Sequence, residues 1–172
     1  MTEHQTLNHF LAEQTGDGSL GDAVEATVKA IANSCCAISE IIALGPLAGS
    51  LGDTGGQNAD GDFQAELDIR ANEIVLTELN EAPVAYLASE ELELPVPINE
   101  GAPLYVAIDP LDGSSNIDTN VSVGTIFSVM PMRGDKGDQA SDCFLHQGIH
   151  QLAAGYVIYG PQTAMVLTLG KG

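Results

Sequence analysis

The chain has 172 residues, 44% of them hydrophobic, with a weakly positive mean hydropathy: enough apolar mass for one domain or one large lobe, and too much to stay disordered. Its 5 Lys and Arg stand against 24 Asp and Glu, a formal charge of −19 that repels phosphate backbones and anionic lipid and so excludes nucleic acid and membrane surfaces as partners. No run of apolar residues is long enough to span a bilayer, and Met1-Thr2-Glu3-His4 lacks the basic and apolar regions of a signal peptide, so a soluble cytoplasmic protein is expected. The odd number of cysteines, Cys35, Cys36 and Cys143, predicts reduced thiols.

Over residues 20–42, Leu20, Val24, Val28, Ile31, Cys35, Ile38 and Ile42 recur at steps of three and four, which predicts a helix with one buried face. Ser19 is its expected N-cap, and Gly45-Pro46 its stop. The glycine-rich stretch 45–62 reads as a mobile loop. A second helix is expected over 67–80 from Leu67, Ala71, Ile74, Val75 and Leu79. Strands are predicted at 84–88, running into Ser89-Glu90-Glu91, and at 105–108, running into Asp109-Pro110. A β-rich stretch spans 121–130, and 153–159 with 164–169 flanks a Gly-Pro-Gln turn as a hairpin would. The run 163–169 is apolar enough to be an interior strand, with something beyond it to cover its edge. Helices first and strands later give a layered α/β (α+β) fold.

The chemistry concentrates in Asp109-Pro110-Leu111-Asp112-Gly113-Ser114-Ser115-Asn116. Pro110 cannot donate to a ladder and Gly113 permits a sharp turn, so Asp109, Asp112 and the Leu111 carbonyl can converge as three hard oxygens, a set suited to Mg²⁺ or Mn²⁺. The amides of Gly113, Ser114 and Ser115, with two hydroxyls, then offer donors to an anion. A polar turn alone accounts for the same residues equally well on spacing. Two further acidic sites favour the metal: Glu90-Glu91 ends the neighbouring strand, and Asp62 and Asp68 bracket the start of the second helix. Carboxylates meeting there without a basic partner repel one another, and bound cations are the ordinary remedy. His146 and His150, four apart, read as a surface pair rather than a zinc site.

Ala88-Ser89-Glu90-Glu91, then the run from Asp109 to Asp118, then Val121-Ser122-Val123-Gly124-Thr125-Ile126-Phe127, closely resembles class I fructose-1,6-bisphosphatases. The shorter motif is shared with inositol monophosphatases, whereas Ser114-Ser115-Asn116-Ile117-Asp118 and Ala153-Ala154-Gly155-Tyr156 with Tyr159-Gly160 resemble the fructose-bisphosphatase branch. Thr6-Leu7, Phe10-Leu11, Gly61-Asp62 and Leu67-Asp68 extend the resemblance over nearly the whole chain.

The resemblance implies a sugar-phosphatase fold, with residues 1–172 as an N-terminal lobe of helices packed on a mixed sheet. It implies that Glu90, Asp109, the Leu111 carbonyl and Asp112 ligate two or more Mg²⁺ (or Mn²⁺) ions, and that Asp112, Gly113, Ser114 and Ser115 contact the phosphate. Asp68 and Glu91 would activate the attacking water, and Asp62 would belong to a loop closing over the metals. The implied reaction is hydrolysis of the 1-phosphate of fructose 1,6-bisphosphate by a homo-oligomer, a tetramer in the family. Sedoheptulose 1,7-bisphosphate is the alternative substrate, and a non-catalytic metal-binding module the alternative of a different class. The family is about twice as long, and its second half holds the sugar and second phosphate, so the chain alone is expected to be nearly inactive. The family's AMP-sensing loop aligns with Leu20-Gly21-Asp22-Ala23-Val24-Glu25, which departs from its pattern.

Overall fold

Apolar residues spaced for a helix occupy the first half of the chain and those spaced for strands the second, and each set closes into its own layer. The structure is a computed structural model describing residues 5–45, 61–132, 144 and 147–170, and for 61–65 and 118 the backbone alone. Helix α1 (Leu7–Gln14) is capped by Thr6, whose hydroxyl accepts from the His9 N–H at 3.3 Å. Helix α2 (Ser19–Leu44) buries Val24, Val28, Ile31, Cys35 and Ile38 along one stripe, as the spacing predicted. Ser19 is not its cap. The cap position is Gly18, with φ of 111° and no side-chain bond, and Ser19 is the first helical residue. Gly16 and Gly18 both take positive φ, so the chain enters α2 through angles that a serine would resist. The helix stops at Gly45, φ 54°, whose N–H reaches the Ile42 carbonyl at 3.0 Å.

By length and composition α2 could cross a bilayer. Its apolar stripe is instead covered by the rest of the fold, and its other side carries Asp22, Glu25, Lys29, Asn33 and Glu40.

Helix α3 (Gly61–Leu79) starts well ahead of the predicted residue 67, so residues 61 and 62 form its first turn rather than the end of a loop; residues 46–60 lie outside the described set. The helix period marks where a helix touches the core, and among the described side chains of α3 the first fully buried one is Leu67. Ahead of it Phe63 stands four residues before Leu67, one apolar residue that extends the helix period backwards, and Glu66 pairs with Arg70 at 3.3 Å.

Among the described residues six strands follow: β1 (Val84–Ser89), β2 (Val96–Pro97), β3 (Leu104–Asp112), β4 (Val123–Pro131), β5 (Ala153–Tyr159) and β6 (Ala164–Thr168). They form one mixed sheet in the order β2-β1-β3-β4-β5-β6, in which β1 and β3 run parallel and every other pair is antiparallel. The predicted β5–β6 hairpin is present. Among the described residues β6 is the last strand of the sheet, with alternating exposed and half-buried side chains.

Helices α2 and α3 cover one face of the sheet. Val28, Ile31 and Val75 pack there against Leu87, Val106 and Val129, all with no exposed surface, and burial stabilises each by about 1.5–3 kcal/mol. On the opposite face Tyr105, Met130 and Phe144 form a smaller cluster, with Tyr105 and Phe144 edge to face at 4.9 Å. Among the described residues the rest of that face is open: the row running from Asp109 across the ladder through Ile126 and Tyr156 to Val166 leaves the last three 44 to 49% exposed.

Candidate active site

The parallel pair β1 and β3 end side by side, so their carboxyl ends deliver the acidic motifs to one place. The Glu90 N–H donates to the Ile108 carbonyl at 3.0 Å, fixing the residue after β1 beside the residue before Asp109. Asp68 arrives from α3, and its Oδ2 accepts from the Ser114 hydroxyl at 3.1 Å. Gly113, at φ 79°, makes the left-handed turn that starts the 3₁₀ segment Ser114–Thr119 and so places Ser114 over the helix.

The predicted turn at Asp109-Pro110-Leu111-Asp112 is part of β3. The convergence of its carboxylates comes from a β-bulge, not from a loop. Asp109 pairs with Ile126 and Asp112 with Gly124, so Pro110 and Leu111 together face Thr125 alone. In a regular strand, residues three apart point to opposite faces. The extra residue resets the alternation: Pro110 and Leu111 are both buried, and Asp109 and Asp112 emerge together on the open face. Gly124 lies opposite Asp112, and a Cβ there would stand 2.5 Å from the Val157 carbonyl oxygen, so only glycine fits.

The electrostatics follow from this crowding. Burial pushes the Asp109 carboxyl up, opposed by the Leu111 N–H that donates to its Oδ1 at 3.1 Å and reinforced by Asp112, Glu90 and Asp68. Burial likewise raises Asp68, against the Ser114 hydrogen bond and with the charge of Glu90. Glu91 moves from the usual 4.5 to about 7, first through burial, then through the charges of Asp68, Glu90 and Asp109. Among the described residues the cations Lys29 and Arg70 pair with Glu25 and Glu66 respectively, on helix surfaces.

The structure therefore brings together Asp68, Glu90, Glu91, Asp109, Asp112 and Ser114. Gly113 serves through its turn, Ser115 is exposed beside it, and Leu111 contributes backbone, since its side chain is buried. Asp62 falls in the first turn of α3, and its side chain, like the whole of His146 and Cys143, lies outside the described residues. Sequence reading missed Asn72, one helical turn beyond Asp68, whose buried Oδ1 has no hydrogen-bond partner. The spacing of four from Asp68 was the available signal.

No three His, Cys, Asp or Glu side chains among the described residues close on a common point as a ready-made ion cage. The donors still fit a hard cation of the Mg²⁺ kind, which keeps several waters and takes one or two carboxylates with phosphate oxygens. Asp68 Oδ1 is buried without a partner, and the charges of neighbouring carboxylates help raise Asp68, Glu91 and Asp109. Beside the cluster, Glu90 and Asp109 form the acidic end of a largely apolar cleft of about 990 Å³ on the open face.

The chain is 50% identical over its whole length to a class 1 fructose-1,6-bisphosphatase of Nitrobacter hamburgensis, covering 49% of that protein, and 51% identical to one of Rhizobium meliloti, covering 48%. The holo crystal structure of Leishmania major fructose-1,6-bisphosphatase superposes with a TM-score of 0.81 at 34% identity, over 98% of this chain and 53% of that one. The chain thus spans about half the length of the relatives it matches. The family profile described as fructose-1-6-bisphosphatase, N-terminal domain, matches residues 5–172, and the chain belongs to that family.

Proposed function

We propose that the chain forms the acidic half of a sugar-bisphosphate phosphatase, hydrolysing the 1-phosphate of fructose 1,6-bisphosphate in a cytoplasmic setting. The observation that carries this reading is the meeting of Asp68, Glu90, Glu91, Asp109 and Asp112 at the carboxyl ends of β1 and β3, next to the Gly113-Ser114-Ser115 turn. The naming of its relatives as fructose-1,6-bisphosphatases supports the substrate.

Glu90, Asp109, Asp112 and the Leu111 carbonyl are the residues to hold Mg²⁺ or Mn²⁺. Two or more such ions would supply charge neutralisation for the phosphoryl group and the leaving oxygen, which this chain's few basic residues cannot. The Gly113, Ser114 and Ser115 amides and hydroxyls orient the phosphate. Ser114 also fixes the Asp68 carboxylate by its hydrogen bond, so one residue couples phosphate position to the acid cluster. Glu91, beside the Asp68 and Asp109 carboxylates, can take a proton from a water lined up against phosphorus and return it to solvent.

Phosphate release from fructose 1,6-bisphosphate and from sedoheptulose 1,7-bisphosphate tests the reading, with Mg²⁺ present and with it chelated. The chain is assayed alone and joined to the remaining half of the Nitrobacter relative. Release by the joined protein should require Mg²⁺ and fall away in Asp109→Asn, while the chain alone should be nearly inactive. A joined, folded protein that releases no phosphate from either sugar overturns the assignment, and a preference for the seven-carbon sugar revises the substrate.

A further inference from the structure

The bulge that turns Asp109 and Asp112 to one face has a polar support on the other face, made of residues the proposed chemistry does not use. Opposite the extra residue stands Thr125, fully buried, whose Oγ1 donates to the Pro110 carbonyl at 2.8 Å. The same Oγ1 lies 2.6 Å from the hydroxyl of Tyr159 on β5. A threonine hydroxyl has one proton, and the carbonyl can only accept, so Thr125 spends that proton on Pro110 and Tyr159 must be the donor to Thr125. Burial pushes the Tyr159 phenol far above its usual range, which keeps that proton in place. Behind both, the Cys35 thiol of α2, 3% exposed, lies within hydrogen-bonding reach of the two hydroxyls.

This chain of contacts supplies what a bulge costs. Pro110 has no N–H, and the doubled residue breaks the ladder, so its buried carbonyl needs a partner from a side chain. Valine at position 125 would match threonine in shape and leave the carbonyl without one.

We infer that Thr125, oriented by Tyr159, is a positioning residue that holds the Asp109–Asp112 bulge and thereby sets the carboxylate spacing for a divalent cation. The metal part of this inference rests on the proposed function, whereas the backbone part does not. The two residues lie in motifs, Gly124-Thr125-Ile126-Phe127 and Tyr159-Gly160, that strand propensity alone leaves without a role.

Two measurements on the full 172-residue chain decide it: Mn²⁺ affinity by titration calorimetry, and hydrogen exchange of the Leu111 amide, which bonds Asp109 Oδ1 only while the bulge is set. Thr125→Val should weaken Mn²⁺ binding by about 10- to 100-fold, the usual effect of losing a residue behind a ligand, and should speed Leu111 exchange by a similar factor. Thr125→Ser, which keeps the hydroxyl, should restore both, and Tyr159→Phe should give a smaller loss in each. A Thr125→Val protein with a lowered Tm but wild-type Mn²⁺ affinity and Leu111 exchange would show a merely structural hydroxyl and overturn the inference. If Thr125→Val does not fold, the decision passes to Tyr159→Phe, where wild-type values in both measurements overturn it. Wild-type chain that binds no Mn²⁺ sinks the metal reading of the site, and the Leu111 exchange then still judges the role of Thr125 by itself.

Discussion

Strand β3 contains two regions built to opposite requirements. From Leu104 to Ile108 it alternates regularly, with Leu104, Val106 and Ile108 against the helices and each partner on β4 one step from the last. From Asp109 to Asp112 the register slips, two residues share one partner, and the Asp109 carboxylate emerges where burial and neighbouring charge both oppose its ionisation. The first region stabilises the fold by removing apolar surface from water. The second stores repulsion that the first must offset, and repulsion among carboxylates is what a cation can relieve. Stability and function are thus separated by one residue along a single strand, which makes the separation testable.

The largest stability change should come from the regular region. Leu104→Ala, at a position with no exposed surface, should cost about 2–5 kcal/mol, read as a drop in the midpoint of urea unfolding. The mirror experiment is Asp109→Ala or Asp112→Ala, which should abolish Mn²⁺ binding in calorimetry while leaving the metal-free protein as stable as wild type or more so, since a like charge is removed. If either substitution unfolds the chain as Leu104→Ala does, the two regions are not separable in this way.

Gly124→Ala sits at the seam. Its added methyl meets the Val157 carbonyl oxygen at 2.5 Å, and the strain should cost about 1–3 kcal/mol and displace the partner of Asp112. Thermal unfolding with and without Mn²⁺ should then show both a lower Tm and a smaller rise on adding the ion.

The smallest effect sharpens the contrast through pH. Glu91 has its folded pKa raised from 4.5 to about 7, and Asp68 and Asp109 are raised as well, so the folded state holds protons that the unfolded chain releases. The stability this gives is complete below the unfolded value and is lost as pH rises through the folded one. The Tm of the metal-free protein should therefore decline between about pH 4.5 and 7, and Glu91→Gln should flatten the upper part of that decline. Saturating Mg²⁺ should abolish it, because a bound cation favours the ionised carboxylates. A Tm that climbs through this window would mean the acids are not crowded as described.

Much of this was legible in the sequence for a physical reason: local rules are written in adjacent residues. The period of apolar residues marked α2 from Val24 to Ile38, the Gly-Pro-Gln turn between 153–159 and 164–169 marked a hairpin, and the Asp-Pro-Leu-Asp-Gly run marked the carboxylates and the turn glycine. Its resemblance to a family placed Asp68, Glu90 and Glu91 in the same site. What tertiary structure alone decided depends on pairings between residues distant in sequence. The order β2-β1-β3-β4-β5-β6 is set by which strands hydrogen-bond, and no strand's own composition records that. The capping of α2 by Gly18 rather than Ser19 follows from the angle at which the chain arrives from α1. The bulge exists because Thr125, thirteen residues beyond Asp112, stands against two residues of β3 instead of one, and only that register turns Asp109 and Asp112 to the same side.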